Sequence, residues 1–203
     1  MIRVISYIDG FNLYFGLRES KMRKYLWLDV RKLCTAILKP GQELVATKYF
    51  SARISGPADK RKRQQLFLEA VETLPDTLSF FGKYQMNPQY CPACKRRTHI
   101  PNEKMTDVNI ATEMLTDAFK NKFDVALLIS ADSDLRPPIA TILREYPQKP
   151  VIVAFPPGRA SKELRKVASA SFPIGLDKIR KSQFPETVTK SNGFKLQRPN
   201  EWA

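Results

Sequence analysis

Short apolar runs alternate along this chain with longer stretches of helical period, and that rhythm constrains its fold more than any other feature. Residues 2–8, 44–50 and 78–84 read as strands, as do Val125–Ile129, Val151–Phe155 and a short segment at Phe172–Leu176. Helical patterns fill the gaps at 12–18, 29–38, 57–74, 107–119, 137–146 and 161–169. In the third of these, Leu66, Phe67, Ala70, Val71 and Leu74 recur at the helical spacing. Val125–Ile129 contains no polar residue, as expected of a parallel strand covered on both faces. Strands alternating with helices of ten or more residues predict βαβ units. The expected fold is therefore α/β: three layers, Rossmann-like, with a mainly parallel central sheet and helices on both faces.

Two stretches break the rhythm. Residues 86–104 hold Pro88, Pro92 and Pro101 together with Cys91 and Cys94, and read as a Cys/Pro-rich loop insertion. Residues 177–203 are polar and punctuated by Pro and Gly, and read as a C-terminal tail following a domain at 1–176. No internal repeat is visible.

Four aspartates stand where strands give out or a helix begins. Asp9 follows the first strand, Asp132 and Asp134 follow Val125–Ser130, and Asp107 opens the helical pattern that feeds the latter strand. In an open α/β sheet the carboxyl ends of the strands form the ligand crevice. A right-handed crossover can bring two such ends together. Singly, each residue has a plain explanation, because Asp is common at turns and helix N-caps; Asp107 and Asn12 could each cap a helix. Jointly, four converging carboxylates would repel one another and take up protons unless a cation compensates them. Mg²⁺ and Mn²⁺ are hard ions that prefer such oxygens and retain waters and a substrate phosphate. Ser130 and Ser133, beside the start of the following helix, are phosphate contacts on this reading or, more plainly, turn residues.

The surroundings of this acidic group are basic. The 203 residues include 34 Lys and Arg against 20 Asp and Glu, a formal charge of +14. Lys60–Arg63, Lys95–Arg97 and Lys178/Arg180/Lys181 form clusters that suit a polyanion, and nucleic acid is expected ahead of membrane. No apolar run approaches the roughly 20 residues of a membrane span, and the N-terminus lacks a signal-peptide design. The expected location is the cytoplasm.

Tyr7–Asn12 (YIDGFN), Glu103–Val108 (EKMTDV) and Ile129–Asp134 (ISADSD) resemble the signature blocks of NYN domains, the LabA/DUF88 branch of the PIN-like nucleases. The blocks occur in family order, and the similarity runs from about residue 2 to 175. The resemblance implies a PIN fold and divalent-metal-dependent cleavage of RNA by metal-activated water. By position it makes Asp9, Asp107, Asp132 and Asp134 the catalytic acids holding Mg²⁺ or Mn²⁺. Asn12 would orient the site or a phosphate, with Glu103 and Lys104 flanking it. Arg96 and Arg97, with Lys104, Ser130, Ser133 and Asn12, make up the expected substrate contacts. A further family aspartate corresponds to Glu113 here, which helical spacing turns away from Asp107. Glu113 and Asp117, four apart, are also readable as a solvated face.

Cys91, Cys94 and His99 form a Cys-x₂-Cys-x₄-His arrangement around the chain's one histidine. Zinc takes Cys and His at such spacing but normally needs four ligands. The fourth would be Cys34, a carboxylate, water or another subunit. The competing reading is two free cysteines and an exposed histidine. Related NYN proteins often carry a cysteine pair just before the Glu-Lys block, which favours a structural zinc. Cys34 itself lies in an apolar helical run and reads as core.

Alternative functions are an RNA- or DNA-binding module with weak or no catalysis, or another Mg²⁺ phosphotransfer enzyme. Asp9-Gly10-Phe11 lacks the second acid of a haloacid dehalogenase phosphatase. Asp132-Ser133-Asp134 lacks the placeable upstream glutamate of a toprim site. Some relatives of the family carry an oxygenase label; the chain has no Gly-x-Gly-x-x-Gly flavin fingerprint and one histidine, too few for a two-His iron triad. The nucleic acid cut, and whether the protein dimerises, are left open by the sequence.

Overall fold

The computed structural model describes residues 1–90, 92 and 94–202, with the backbone alone for 84–89 and 98–103. Its core is a seven-stranded sheet. Strands β1 (Ile2–Asp9), β2 (Gln42–Ala52), β3 (Thr77–Tyr90), β4 (Arg97–Lys104), β5 (Val125–Ile129), β6 (Val151–Phe155) and β7 (Ala170–Pro173) lie in the order β4-β3-β2-β1-β5-β6-β7. All neighbours are parallel except β3 and β4. The chain thus builds outward from β1 on one side, then crosses to begin again at β5 on the other. The order reverses between β1 and β5, and crevices at such reversals are where open α/β sheets bind ligands.

Side-chain alternation splits the core in two. From β1, Val4 and Ile8 enter one apolar cluster while Ile5 and Tyr7 enter the other. The first cluster is covered by α1 (Gly10–Glu19), α2 (Val30–Ile37) and α3 (Ala58–Val71). The second is covered by α4 (Thr106–Phe119), α5 (Arg136–Glu145) and α6 (Lys162–Val167). Asp9 continues the Ile5–Tyr7 parity, so the period of two alone sends it to the face that α4 covers. Cys34, at 0 % exposure, is core as expected.

The three-layer expectation holds, and two segments depart from their sequence readings. Residues 86–104 are not a loop insertion alone, because β3 runs past the sheet edge and pairs antiparallel with β4, from Lys83 opposite Lys104 to Tyr90 opposite Arg97. The prolines that suggested a loop are tolerated because this ribbon is an edge. Nor is 177–203 a free arm. It forms α7 (Leu176–Lys181), a hairpin of β8 (Thr187–Thr189) and β9 (Lys195–Gln197), and a closing turn, Asn200–Trp202. Ile179, Phe184, Val188, Leu196 and Trp202 are buried in the first cluster, where Trp202 lies 6.4 Å from Trp27. Widely spaced single apolar residues give no periodic signal, so a local pattern reading misses them.

Gly82 shows how the ribbon meets the core. A Cβ built there would lie 2.5 Å from the Lys104 carbonyl oxygen and 2.9 Å from Thr106 Oγ1. Backbone cannot yield as a side-chain tip can, so Gly82→Ala is expected to destabilise the fold by about 1–3 kcal/mol. Chemical denaturation reads this directly, and a loss below about 0.5 kcal/mol would contradict the tight crossing.

Candidate active site

Asp9 ends β1 and caps α1: its Oδ1 accepts the backbone N–H of Asn12 at 2.9 Å. Its Oδ2 accepts the Ser130 hydroxyl at 2.9 Å, across the β1–β5 reversal. The Ser130 oxygen in turn accepts the backbone N–H of Asp132 at 3.0 Å. Asp9 and the Asp132 backbone therefore meet on one hydroxyl. A second stitch runs parallel to it, where Asn12 Oδ1 accepts the N–H of Ala131 at 3.1 Å. Asp132 Oδ1 accepts the N–H of Asp134 at 2.9 Å, which caps and folds the Ser133–Leu135 turn.

Asp107 arrives from α4. The residue before the helix, Met105, is left-handed with φ 80° and offers no side-chain cap, so Asp107 sits in the first turn and does not cap the helix. Its proximity to the other acids registers electrostatically. Burial raises its pKa to about 6, reinforced by the fields of Asp132, Asp9 and Asp134. Asp9, 4 % exposed, is also pushed up to about 6 by burial and by Asp132, against the Asn12 and Ser130 hydrogen bonds and the field of Arg159. The four acids thus share one electrostatic environment.

Each expected contact has a definite place. Ser130, read as a phosphate contact, is buried and has its hydroxyl committed on both sides; it positions carboxylates instead. Asn12 likewise locks the two strand ends together, and Asp9, not Asn12, is the cap. Ser133 is exposed beside Asp134, and Lys104 is exposed just before α4. Pro137 and Pro138 remove N–H donors from the start of α5, leaving that helix end a poor anion cradle. Arg96 and Arg97 are exposed at the far end of the β3–β4 ribbon, roughly 25 Å along the strand from Lys104 at strand rise. Of the zinc expectation, Cys91 and the His99 side chain lie outside the described residues, and Cys94 is an exposed free thiol.

Two functional features carry no signal of their own in the motifs. Arg159, beyond the carboxyl end of β6, is the cation whose field reaches Asp9, and its Nη2 pairs with Glu19 at 2.8 Å. The strand-end rule that flags the aspartates also covers it. The other is beneath the site. Asp117 is fully buried, not on a solvated face, and pairs with Lys48 Nζ at 2.5 Å while accepting the Tyr7 hydroxyl at 2.8 Å. Lys48 also reaches Glu113 at 2.5 Å. Burial and Asp117 hold the Tyr7 phenol well above its ordinary range. This network ties α4 to β1 and β2, and so fixes where Asp107 stands.

The donor set suits a hard cation, being all carboxylate in an environment that penalises its own charge. Among the described residues no group of three or more Asp, Glu, His or Cys closes into a ready-made ligand cage. Mg²⁺ does not require one, since it is commonly held by one or two carboxylates with waters and phosphate completing an octahedron. Asp9, with both oxygens already engaged, is held in place, whereas Asp107, Asp132 and Asp134 are more accessible.

The raised acids set a pH dependence. For a carboxyl whose folded pKa exceeds its unfolded value, stability is fully present below the unfolded pKa and lost as pH rises through the folded one. In chelator, the protein is therefore expected to lose stability between about pH 4 and pH 6. Moving Asp9 from its ordinary 3.8 to about 6 corresponds to roughly 3 kcal/mol at most. Thermal melts of wild type and Asp9→Asn across that window test it; parallel pH profiles would contradict the assignment.

Among the described residues no helix is long and apolar enough to cross a membrane. The sequence profile of the NYN domain matches residues 3–175. The chain is similar to the 6-hydroxy-3-succinoylpyridine 3-monooxygenase HspA of Pseudomonas putida strain S16, at 24% identity over 180 residues, 70% of this chain and 55% of that protein. It thus spans little more than half the length of that relative. A solved structure of a protein of unknown function from Vibrio parahaemolyticus RIMD 2210633 shares the fold, with a TM-score of 0.55, 20% identity and coverage of 87% of this chain and 94% of the other. NYN domains are in general PIN-like nucleases that act on nucleic acids and use divalent metals. Matched over most of its length and built on a central sheet with six parallel strands consistent with a PIN-like fold, the chain belongs to the NYN domain family.

Proposed function

We propose that this protein is a divalent-metal-dependent endoribonuclease whose centre is Asp9, Asp107, Asp132 and Asp134. The observation that carries the reading is the meeting of Asp9 and the Asp132 backbone on the Ser130 hydroxyl at the β1–β5 reversal, with Asp107 raised to about 6 beside them. A Mg²⁺ or Mn²⁺ ion bound there supplies acidification of a water and screening of the phosphate charge. Asp132, Asp134 and Asp107 are the residues to hold it. Asp9 is kept ionisable and oriented by Asn12 and Ser130, and Arg159 offsets part of its charge. Lys104 and the wider excess of positive charge guide the phosphate backbone, contacts that carry little sequence information.

The activity named for the Pseudomonas relative is oxygenation of a pyridine, and it belongs to a longer protein. The carboxylate cluster favours phosphodiester hydrolysis. The test incubates purified protein with labelled single-stranded and duplex RNA and DNA in Mg²⁺, Mn²⁺ or chelator. Metal-dependent internal cuts in RNA are expected. Intact substrate under every metal condition would leave a nucleic-acid-binding module.

A further inference from the structure

A cavity of about 650 Å³ opens between α1, the carboxyl end of β2, α3 and the C-terminal turn. Gly10 and Phe11, directly after Asp9, line it together with Tyr49 and Ser51 from the carboxyl end of β2. Besides Tyr49, its aromatic lining comes from three other parts of the chain. Phe11 and Phe15 stack along α1, 6.1 Å apart and 19° from parallel. Phe67 comes from α3, and Trp202 from the C-terminal turn packs edge-on against it at 6.2 Å. The rim is cationic, with Arg18, Arg23, Lys60 and Arg63 all contributing. Arg63 is engaged by Asp59 and Glu201, but Arg18, Arg23 and Lys60 have no acidic partner among the described residues.

We infer that this cavity binds one unpaired nucleotide unit of the RNA strand, with its base among the aromatic side chains and its phosphates at the unpaired cations. The inference rests on the nuclease reading for its choice of ligand. Three properties favour it. The cavity falls within the size range of small-molecule sites and is lined mostly by apolar and aromatic groups. Base–aromatic stacking tolerates any base because every base has a π-face. The uncompensated rim cations complement an anion, and the lining begins at Gly10, the residue after Asp9, so the cavity and the acidic centre share the start of α1. A duplex, whose bases are stacked and paired, cannot enter without unpairing. The C-terminal turn is part of this cavity, which gives the segment read as a tail a place in the site.

The same chemistry, a planar ring carrying an anion, also describes a small pyridine carboxylate. Titration of tryptophan fluorescence in chelator, where cleavage is off, separates the two. The ligands are adenosine 5′-monophosphate, a short single-stranded oligoribonucleotide, its duplex and pyridine-3-carboxylate. Saturable quenching by the nucleotide and the single strand is expected, with the duplex weaker. Phe15→Ala and Lys60→Glu should each weaken the single strand about tenfold or more, as loss of a stacking or phosphate contact does. Lys60 is exposed, so that variant reads binding even if Phe15→Ala fails to fold. Quenching by the pyridine acid alone, or single-strand affinity unchanged in both variants, overturns the inference. Because the titration needs no catalysis, binding without any cleavage in Mg²⁺ would reject the nuclease reading and leave the cavity assignment standing.

Discussion

Asp132→Asn protein is expected to cut single-stranded RNA more slowly than wild type by on the order of 10²-fold or more in Mg²⁺ or Mn²⁺. Disturbing the groups around a metal's ligands typically costs 10–100-fold, and removing a direct ligand costs at least as much. The substitution keeps size and can keep the hydrogen bond to the Asp134 N–H at 2.9 Å, so the turn survives while its charge is lost. Affinity for RNA in chelator should change little, since phosphate contacts lie with the basic residues. Asp9→Asn should act similarly, although its carboxylate is held by Asn12 and Ser130 and nearly enclosed. Equal cleavage by mutant and wild type would mean that the activity belongs to a contaminant, and the assignment of these acids would fail.

Asp117→Ala is expected to cost about 3–5 kcal/mol, the largest single effect on stability. It strips from Lys48, whose side chain is 4% exposed, the buried one of its two carboxylate partners, leaving only the less enclosed Glu113, and it leaves the Tyr7 hydroxyl without its acceptor. A buried ammonium that loses half of its compensation, next to an orphaned phenol, is worse than no ion pair. The double substitution Lys48→Met with Asp117→Leu should recover part of the loss, because apolar groups of similar volume need no partner and Glu113, 28% exposed, reaches water, while the Tyr7 hydroxyl stays without its acceptor. For a chain of this size the single mutant's thermal midpoint should fall by about 10 °C or more. A loss under about 1 kcal/mol by denaturant titration would show that water reaches the pair. Any activity lost in the double variant would then report on the placement of Asp107, since α4 carries both residues.

Much of this candidate site is legible in the order of the amino acids. Asp9, Asp107, Asp132 and Asp134 declare themselves because strand ends and helix starts are local events, read from a few neighbouring residues. The parallel sheet is legible for the same reason: Val125–Ile129 and Val151–Phe155 are apolar without interruption, and only a strand covered twice needs that. Lys48 and Asp117 look like ordinary surface charges in their own segments. Nothing near either one in sequence reports that they meet across α4 and β2, 69 positions apart. Trp202 gives no sign that its partners are Trp27 and Phe67, because isolated apolar residues carry no period.

The sequence by itself determined the layers, the parallel run of the central strands and which acids stand at strand ends or a helix start, all of which follow from short-range periodicity and sterics. The tertiary structure alone decided which strand ends are neighbours, which hydroxyl joins Asp9 to Asp132, and that the last residues close a cavity. Those outcomes depend on contacts between residues far apart in the chain, whose closure entropy is offset only when the whole sheet and both its faces assemble together.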